Sequence, residues 1–260
     1  MEYEFVKVEK RDHISIVTIN RPEVYNAVHP PLSLELDQVW NEFIEDSEQW
    51  VAVLTGAGDK AFSAGNDLKY SAQPGKYKVQ QPKSGFAGLT NRFDRTKPII
   101  AAVNGFAMGG GMETALSCDI ILASENAKFA LPEVKVGFFA AAGGVQRLSR
   151  QIGKKAALEM ILTGRSVDAK EALKLGIVND VFSQSELLDK AIEKANIIAG
   201  NCPSSIKYSL EALNHMDQLE EMSSALEKSY ELIDLLRQTE DHKEGVSAFV
   251  EKRAPQWKNK

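Results

Sequence analysis

The sequence has little cysteine: its 260 residues include two, Cys118 and Cys202, far apart and in unlike contexts. Neither a disulfide framework nor a cysteine metal quartet can be assembled from them, and two free thiols in a reducing compartment are the expectation. Histidine is also sparse. His13, His29, His215 and His242 lie in charged or turn contexts, for which surface placement is expected. No stretch reaches the ~18 apolar residues of a membrane span. Met1–Phe5 is too acidic, and its apolar run too short, for a signal peptide, so a cytoplasmic protein with no membrane partner is expected. Gly-x-Ser-x-Gly, His-Glu-x-x-His and Cys-x-x-Cys are all missing. Triad hydrolases and metalloenzymes thereby lose their key parts, and no metal is expected.

Excess positive charge is absent too. The chain carries 31 basic and 36 acidic residues, a net charge of −5, where nucleic-acid binding needs a clustered cationic surface. No nucleic-acid partner is expected. At 43% hydrophobic and 26% charged residues the composition is that of an ordinary globular protein, which excludes disorder and collagen-like repeats. The length suits one large domain or a domain with an appendage.

Val, Ile and Thr recur with period two at Phe5–Glu9 and His13–Ile19 around a charged Lys10-Arg11-Asp12, which predicts a hairpin. Leu32–Ser47 places Leu32, Leu36, Val39, Trp40 and Phe43 on one helical stripe. The apolar runs Trp50–Thr55, Pro98–Val103 and Asp119–Ala123 suit strands buried on both faces. Ser71–Ser84, rich in Gln, Pro, Lys and Gly, predicts a mobile loop. This strand, glycine turn, helix rhythm predicts an α/β chain built of stacked turns. Beyond Gly143-Gly144 the pattern is mostly helical: Lys154–Thr163, Asp168–Leu175, Ser185–Ala199, Ser204–Met216 and Leu219–Gln238. A composition shift at Asn201-Cys202-Pro203 marks a candidate boundary between a core of residues 1–200 and a helical region of residues 201–260.

Three segments carry candidate chemistry. Gly109-Gly110-Gly111 precedes a helix and leaves backbone N–H groups bare where negative charge is favoured; close helix–sheet packing explains the glycines equally well. No Gly-Lys-Ser/Thr follows, so this is not a phosphate loop. Phe62–Leu68 is a second small-residue turn, able to supply the other donor of an oxyanion hole. Glu113 and Glu133 sit among apolar residues, where a carboxylate is costly unless paired or functional. Each alone reads as a cap or ion-pair partner; beside an oxyanion site they become candidates for acid–base work on water.

These residues resemble the crotonase, or enoyl-CoA hydratase/isomerase, superfamily over nearly the whole chain. The likeness runs in order through Asn20-Arg21-Pro22 with Asn26-Ala27, Ala61–Leu68, Lys97–Gly105, Gly109–Glu113, Leu131-Pro132-Glu133, Gly143–Leu148, Leu162–Arg165 and Ser247–Arg253. It implies a spiral of β-β-α turns with a helical C-terminal region that builds trimers or dimers of trimers. It also implies an acyl-CoA thioester substrate, coenzyme A being part of that substrate and no prosthetic group being needed. By carry-over the thioester oxygen is held by the N–H groups of Asn66 and Gly110. Glu113 activates water and Glu133 delivers the proton to the α-carbon. The coenzyme lies along Arg21, Glu23, Tyr25, Ala64, Asn66, Asp67, Leu68, Lys69, Gly109 and Gly110, with Lys252 near its phosphates. Two acids and a water imply reversible hydration of a 2-trans-enoyl-CoA.

Two departures bear on the acyl group. Asn66 stands where many hydratases carry a small residue, and Phe138–Ala142 replaces a proline-containing turn. The segment Gly85–Thr90 and the ending Glu251–Lys258 look closest to the carnitinyl-CoA dehydratase branch. The competing expectations are that dehydratase activity, a double-bond isomerase, and a catalytically idle scaffold or RNA-binding module.

Overall fold

Period-two alternation at the N-terminus gives the expected hairpin: β1 (Val6–Arg11) and β2 (Ile14–Ile19) pair antiparallel, from Val6 opposite Ile19 to Arg11 opposite Ile14. The computed structural model describes residues 3–73, 81–216 and 222–260, so residues 74–80 of the predicted loop and 219–221 of the predicted helix Leu219–Gln238 lie outside it. Helix α1 (Pro30–Glu45) starts two residues before the predicted stripe, because Pro30 occupies its first turn and His29 Nδ1 accepts the Leu32 N–H at 3.4 Å. Leu32, Leu36, Val39, Trp40 and Phe43 are all buried, as their spacing predicts.

Next come β3 (Val51–Gly56), β4 (Ala61–Ser63), α2 (Leu68–Ser71), β5 (Ile99–Val103), β6 (Phe106–Met108), α3 (Gly110–Leu116), β7 (Ile120–Ser124) and β8 (Lys128–Ala130). They alternate between two sheets. Strands β3, β5 and β7 run parallel in a six-stranded sheet that starts β1-β2-β3-β5-β7 and ends on β10 (Asp180–Phe182), and β4, β6 and β8 run parallel in a four-stranded sheet that starts β4-β6-β8 and ends on β9 (Ser166–Asp168). Each turn of chain therefore lays one long strand in the first sheet and one short strand in the second, which is the β-β-α spiral. Every residue of β3 and β5 is buried, as apolar runs covered on both faces require. The second sheet was illegible in the sequence, since three-residue strands carry no period.

After β8 come α4 (Gly144–Gln151), α5 (Lys154–Thr163), β9 (Ser166–Asp168), α6 (Ala169–Leu175), β10 (Asp180–Phe182) and α7 (Leu187–Ala199). Helices α8 (Pro203–Met216), α9 (Met222–Leu236) and α10 (Glu240–Glu251) follow; α8 starts at the predicted composition shift, and α10 extends the helical region past Gln238. The buried Asp241 carboxylate joins this region to the chain end, accepting from Ser204 Oγ at 3.0 Å and the Lys258 N–H at 2.8 Å. Among the described residues no helix is long and apolar enough to cross a membrane. Both cysteines are free thiols, as expected. The expectation of surface histidines fails at His29, which is 5% exposed and wedged edge-on between Phe5 and Tyr70. Its neutral ring serves as an apolar plug and a cap together.

Candidate active site

The end of β6 runs into α3 through Gly109, whose φ of 53° and ψ of −123° suit only a residue without Cβ. The Gly109 N–H is spent on the Ala130 carbonyl at 2.9 Å. Gly110, the first residue of α3, has no helical acceptor for its N–H, and among the described residues none is found elsewhere. On its other side a Cβ at Gly110 would lie 2.6 Å from Phe86 Cε1 and Cζ, so the Phe86 ring rests on the glycine backbone. Close packing and a bare donor are both present at this turn. With seven residues α3 is too short for a large macrodipole, so the donor acts as an individual N–H.

A second free N–H comes from Asn66. Segments 25–28 and 64–67 run side by side: the Val28 N–H donates to the Gly65 carbonyl at 2.7 Å, the Asp67 N–H to the Val28 carbonyl at 3.0 Å, and the Ala64 N–H to the Tyr25 carbonyl at 2.9 Å. Between them the Asn66 N–H faces away from Val28, with no acceptor among the described residues. A Cβ on Gly65 would lie 2.8 Å from the Gly110 nitrogen. That contact sets the Asn66 turn directly against the start of α3.

Both candidate carboxylates reach the same turn. Glu113, one helical turn beyond Gly110, is 4% exposed, and its Oε1 accepts the Gly144 N–H at 2.9 Å. Glu133 lies in a 3₁₀ turn, Pro132–Val136, and its Oε1 is 3.0 Å from where a Gly109 Cβ would stand. The other oxygen, Oε2, is buried with no hydrogen-bond partner. Neither acid makes an ion pair among the described residues, and Glu113, by accepting the N–H of the first residue of α4, also caps that helix. Burial pushes the Glu113 carboxyl up to about 7, and the negative Glu133 adds to this, against the Gly144 N–H and the Arg147 charge. Burial likewise raises the Glu133 carboxyl above its usual range. Two carboxyls whose proton affinity is raised by burial thus flank two unpaired N–H donors.

The candidate coenzyme residues divide in two. Glu23, Tyr25, Ala64, Asn66, Leu68 and Lys69 are exposed on adjoining strips. Arg21 and Asp67 are not: their side chains are 12% and 10% exposed, and Arg21 Nη1 donates to Asp67 Oδ2 at 3.0 Å and to the Ala27 carbonyl. This pair fastens the Asn66 turn to the preceding chain, while Asp67 Oδ1 accepts the Tyr70 N–H at 3.0 Å and caps α2. Lys252 is exposed at the end of α10, which packs on α8, and among the described residues no hydrogen bond or ion pair links it to the other candidates. Phe86 and Arg147 stood inside quoted motifs without a role. Only contact across the fold reveals one, since neither residue type nor spacing marks them.

The enoyl-CoA hydratase/isomerase family profile matches residues 9–260. A short-chain enoyl-CoA hydratase from Clostridium acetobutylicum is 43% identical over 256 residues, 97% of each chain. A carnitinyl-CoA dehydratase from Salmonella typhi is 42% identical over 250 residues, 94% of each. The crystal structure of an enoyl-CoA hydratase from Mycobacterium tuberculosis superposes with a TM-score of 0.91 at 35% identity, covering 98% of this chain and 99% of that one.

Proposed function

Because the chain belongs to the enoyl-CoA hydratase/isomerase family, we propose that it is an acyl-CoA hydro-lyase, adding water reversibly to a 2-trans-enoyl-CoA. The observation that carries this reading is the pair of desolvated carboxyls, Glu113 and Glu133, set against the unpaired N–H groups of Asn66 and Gly110. In hydration the Glu113 carboxylate takes a proton from water as the oxygen bonds to C3. Electrons of the C2–C3 double bond move towards the thioester, whose oxygen becomes enolate-like and accepts from the Asn66 and Gly110 N–H groups. Fixed donors of this kind are typically worth roughly 3–4 kcal/mol each. The Glu133 carboxyl then gives its proton to C2, and dehydration runs the same steps backwards. Raised carboxyl pKa values serve this exchange, because each acid must be able to hold and to release a proton near neutral pH.

Coenzyme A, as part of the substrate, runs along the exposed strip of Glu23, Tyr25, Ala64, Leu68 and Lys69. Arg21 and Asp67 stiffen that strip from beneath rather than touching phosphate. In this reading residues 1–200 bind and convert the thioester, and residues 201–260 assemble a trimer or a dimer of trimers; the exposed rings of Tyr230 and Phe249 support it. Lys252 then meets phosphate from its own or a neighbouring subunit. A carnitinyl-CoA type of acyl group is the second reading, favoured by the Salmonella relative.

The deciding assay is crotonyl-CoA hydration by the wild type, Glu113→Gln and Glu133→Gln. Loss of at least about a hundredfold in kcat is expected of each variant. An active wild type whose rate survives both changes would sink the mechanism. An idle scaffold would show no turnover on any enoyl thioester, and an isomerase would form product without incorporating labelled solvent oxygen.

A further inference from the structure

Glu113 owes its place to a turn that has almost no side chains of its own. Ala140–Gly143 leads into α4, and Gly143 adopts φ 100°, a conformation open to glycine and costly in backbone entropy to hold. The Gly144 N–H must nonetheless stay aimed at Glu113 Oε1. One side chain supplies the missing stiffness. Arg147 Nη1 occupies the position a Gly143 Cβ would take, and donates to the Ala142 carbonyl at 3.3 Å. Its Nη2 donates to the Thr90 carbonyl at 2.6 Å, and the guanidinium lies over the Phe93 ring, 5.6 Å from its centroid.

Thr90 belongs to the loop on the opposite wall. Its Oγ1 accepts the Phe86 N–H at 2.9 Å, and Phe86 is the ring that rests on Gly110. That loop is in turn fixed to α1 by the Trp40 Nε1 donation to the Ala87 carbonyl at 3.1 Å and the Ala87 N–H donation to Ser33 Oγ at 2.9 Å. A rigid planar fork is what two carbonyls on separate segments require; an ammonium on a flexible stem does not replace it.

We infer that Arg147 is the positioning residue of Glu113, its guanidinium bracing the Ala142–Gly144 turn that holds the carboxylate and tying that turn to the Phe86 loop. The inference rests on the proposed role of Glu113 for its catalytic consequence only. Charge adds to geometry. The groups that face Glu113 are Glu133 from the 3₁₀ turn, Arg147 from α4 and the N–H groups of the 142–144 turn; Arg147 itself faces Arg95, Cys118 and Arg150. With Arg147 removed, burial and Glu133 oppose ionisation of Glu113 with no cation against them, so its midpoint rises.

The test uses the full-length protein and the variants Arg147→Gln, Arg147→Lys and Phe93→Leu. Infrared difference spectra between pH 5 and 9, referenced to Glu113→Gln, read the Glu113 midpoint without any turnover; kcat and KM for crotonyl-CoA are followed against pH. Arg147→Gln is expected to raise the midpoint by at least about half a unit. It should also lower kcat at pH 7 at least about tenfold, with KM held within about twofold. Arg147→Lys is expected to restore the midpoint but not kcat, which separates the charge from the fork. Phe93 is exposed, so Phe93→Leu keeps the fold while loosening the guanidinium, and kcat is expected to fall about two- to threefold. The inference is overturned if Arg147→Gln leaves midpoint and kcat unchanged, or if all three variants change kcat and KM in proportion with an unmoved pH profile. Should Arg147→Gln fail to fold, Arg147→Lys decides: a lowered kcat at unchanged KM supports the inference, and an undiminished kcat, or kcat and KM changed in proportion, overturns it. Should Glu113→Gln keep full activity, the role of Glu113 falls, and the infrared midpoint still decides whether Arg147 positions its carboxylate.

Discussion

If Glu113 is held ionisable against its surroundings, a variant without it should gain stability relative to the wild type as pH rises. The carboxyl titrates at about 7 in the folded chain against 4.5 for an ordinary glutamate. A raised folded pKa means that the unfolded chain loses the proton first, so the group costs nothing well below pH 4.5 and its penalty grows as pH rises to about 7. At about 1.4 kcal/mol per unit, the linkage gives a penalty on the order of 1 kcal/mol at pH 5 and on the order of 3 kcal/mol at pH 8. Glu113→Gln removes the charge while its amide oxygen still accepts the Gly144 N–H. Its new NH₂ is an unpaired buried donor, which costs about 1–3 kcal/mol at every pH. That constant cancels when the variant is compared with the wild type at two pH values. The variant's stability relative to wild type should therefore improve by about 2–3 kcal/mol between pH 5 and pH 8, or roughly 5–10 °C in Tm for a chain of this size. Urea unfolding at fixed protomer concentration measures it, since assembly would otherwise shift the midpoint. A difference between the two proteins that stays flat from pH 5 to pH 8 would refute the desolvation argument.

Asp67→Asn leaves the largely buried Arg21 guanidinium without its counter-charge. It should cost about 3–5 kcal/mol of stability and lower kcat through a loosened Asn66 turn; a urea midpoint unchanged from wild type would remove the bracing role. Gly110→Ala drives a methyl into the Phe86 ring and should cost about a hundredfold in kcat by displacing a donor. Phe86→Ala added to it should return at least about tenfold, and a double variant no faster than the single one would clear Phe86 of the contact. Lys69→Ala and Lys252→Ala should raise KM for crotonyl-CoA but not for crotonyl-pantetheine, which lacks the phosphates; equal effects on both substrates would show that neither lysine meets phosphate.

What the sequence disclosed and what it hid follow from one physical distinction. Local periodicity marked the hairpin, the buried stripe of α1 and the apolar strands β3, β5 and β7, because each of those elements repeats its pattern over several residues. Strands β4, β6 and β8 have three residues each and no repeat to read, so the second layer of every spiral turn emerged only from their pairing. The site divides the same way. Gly109–Gly111 and the two glutamates announce themselves as residue types out of keeping with their neighbours. Arg21 is placed along the coenzyme by resemblance alone, and nothing local betrays that Asp67, 46 positions on, accepts from its guanidinium. Phe86 and Arg147 are ordinary residues whose roles arise at contacts 24 and 57 positions distant.

The same contacts explain why this site is assembled from glycine and unpaired acid rather than from charged pairs. A cation bonded directly to Glu113 or Glu133 would hold it ionised and hold its pKa down, which suits a fixed anion and not a group that must take up and give back a proton. Arg147 instead bonds to the carbonyls of Ala142 and Thr90 and acts on Glu113 through the turn. It stiffens the donor that orients the carboxylate while leaving burial as the largest influence on its proton affinity. Glycines 109 and 144 let backbone and carboxylate, and Gly110 lets backbone and the Phe86 ring, approach more closely than a side chain would permit. That closeness excludes water, and the exclusion of water is what raises both carboxyls. A bulkier residue at any of the three should therefore move a pKa as well as a distance, which is why pH profiles discriminate between mechanisms here better than rates at a single pH.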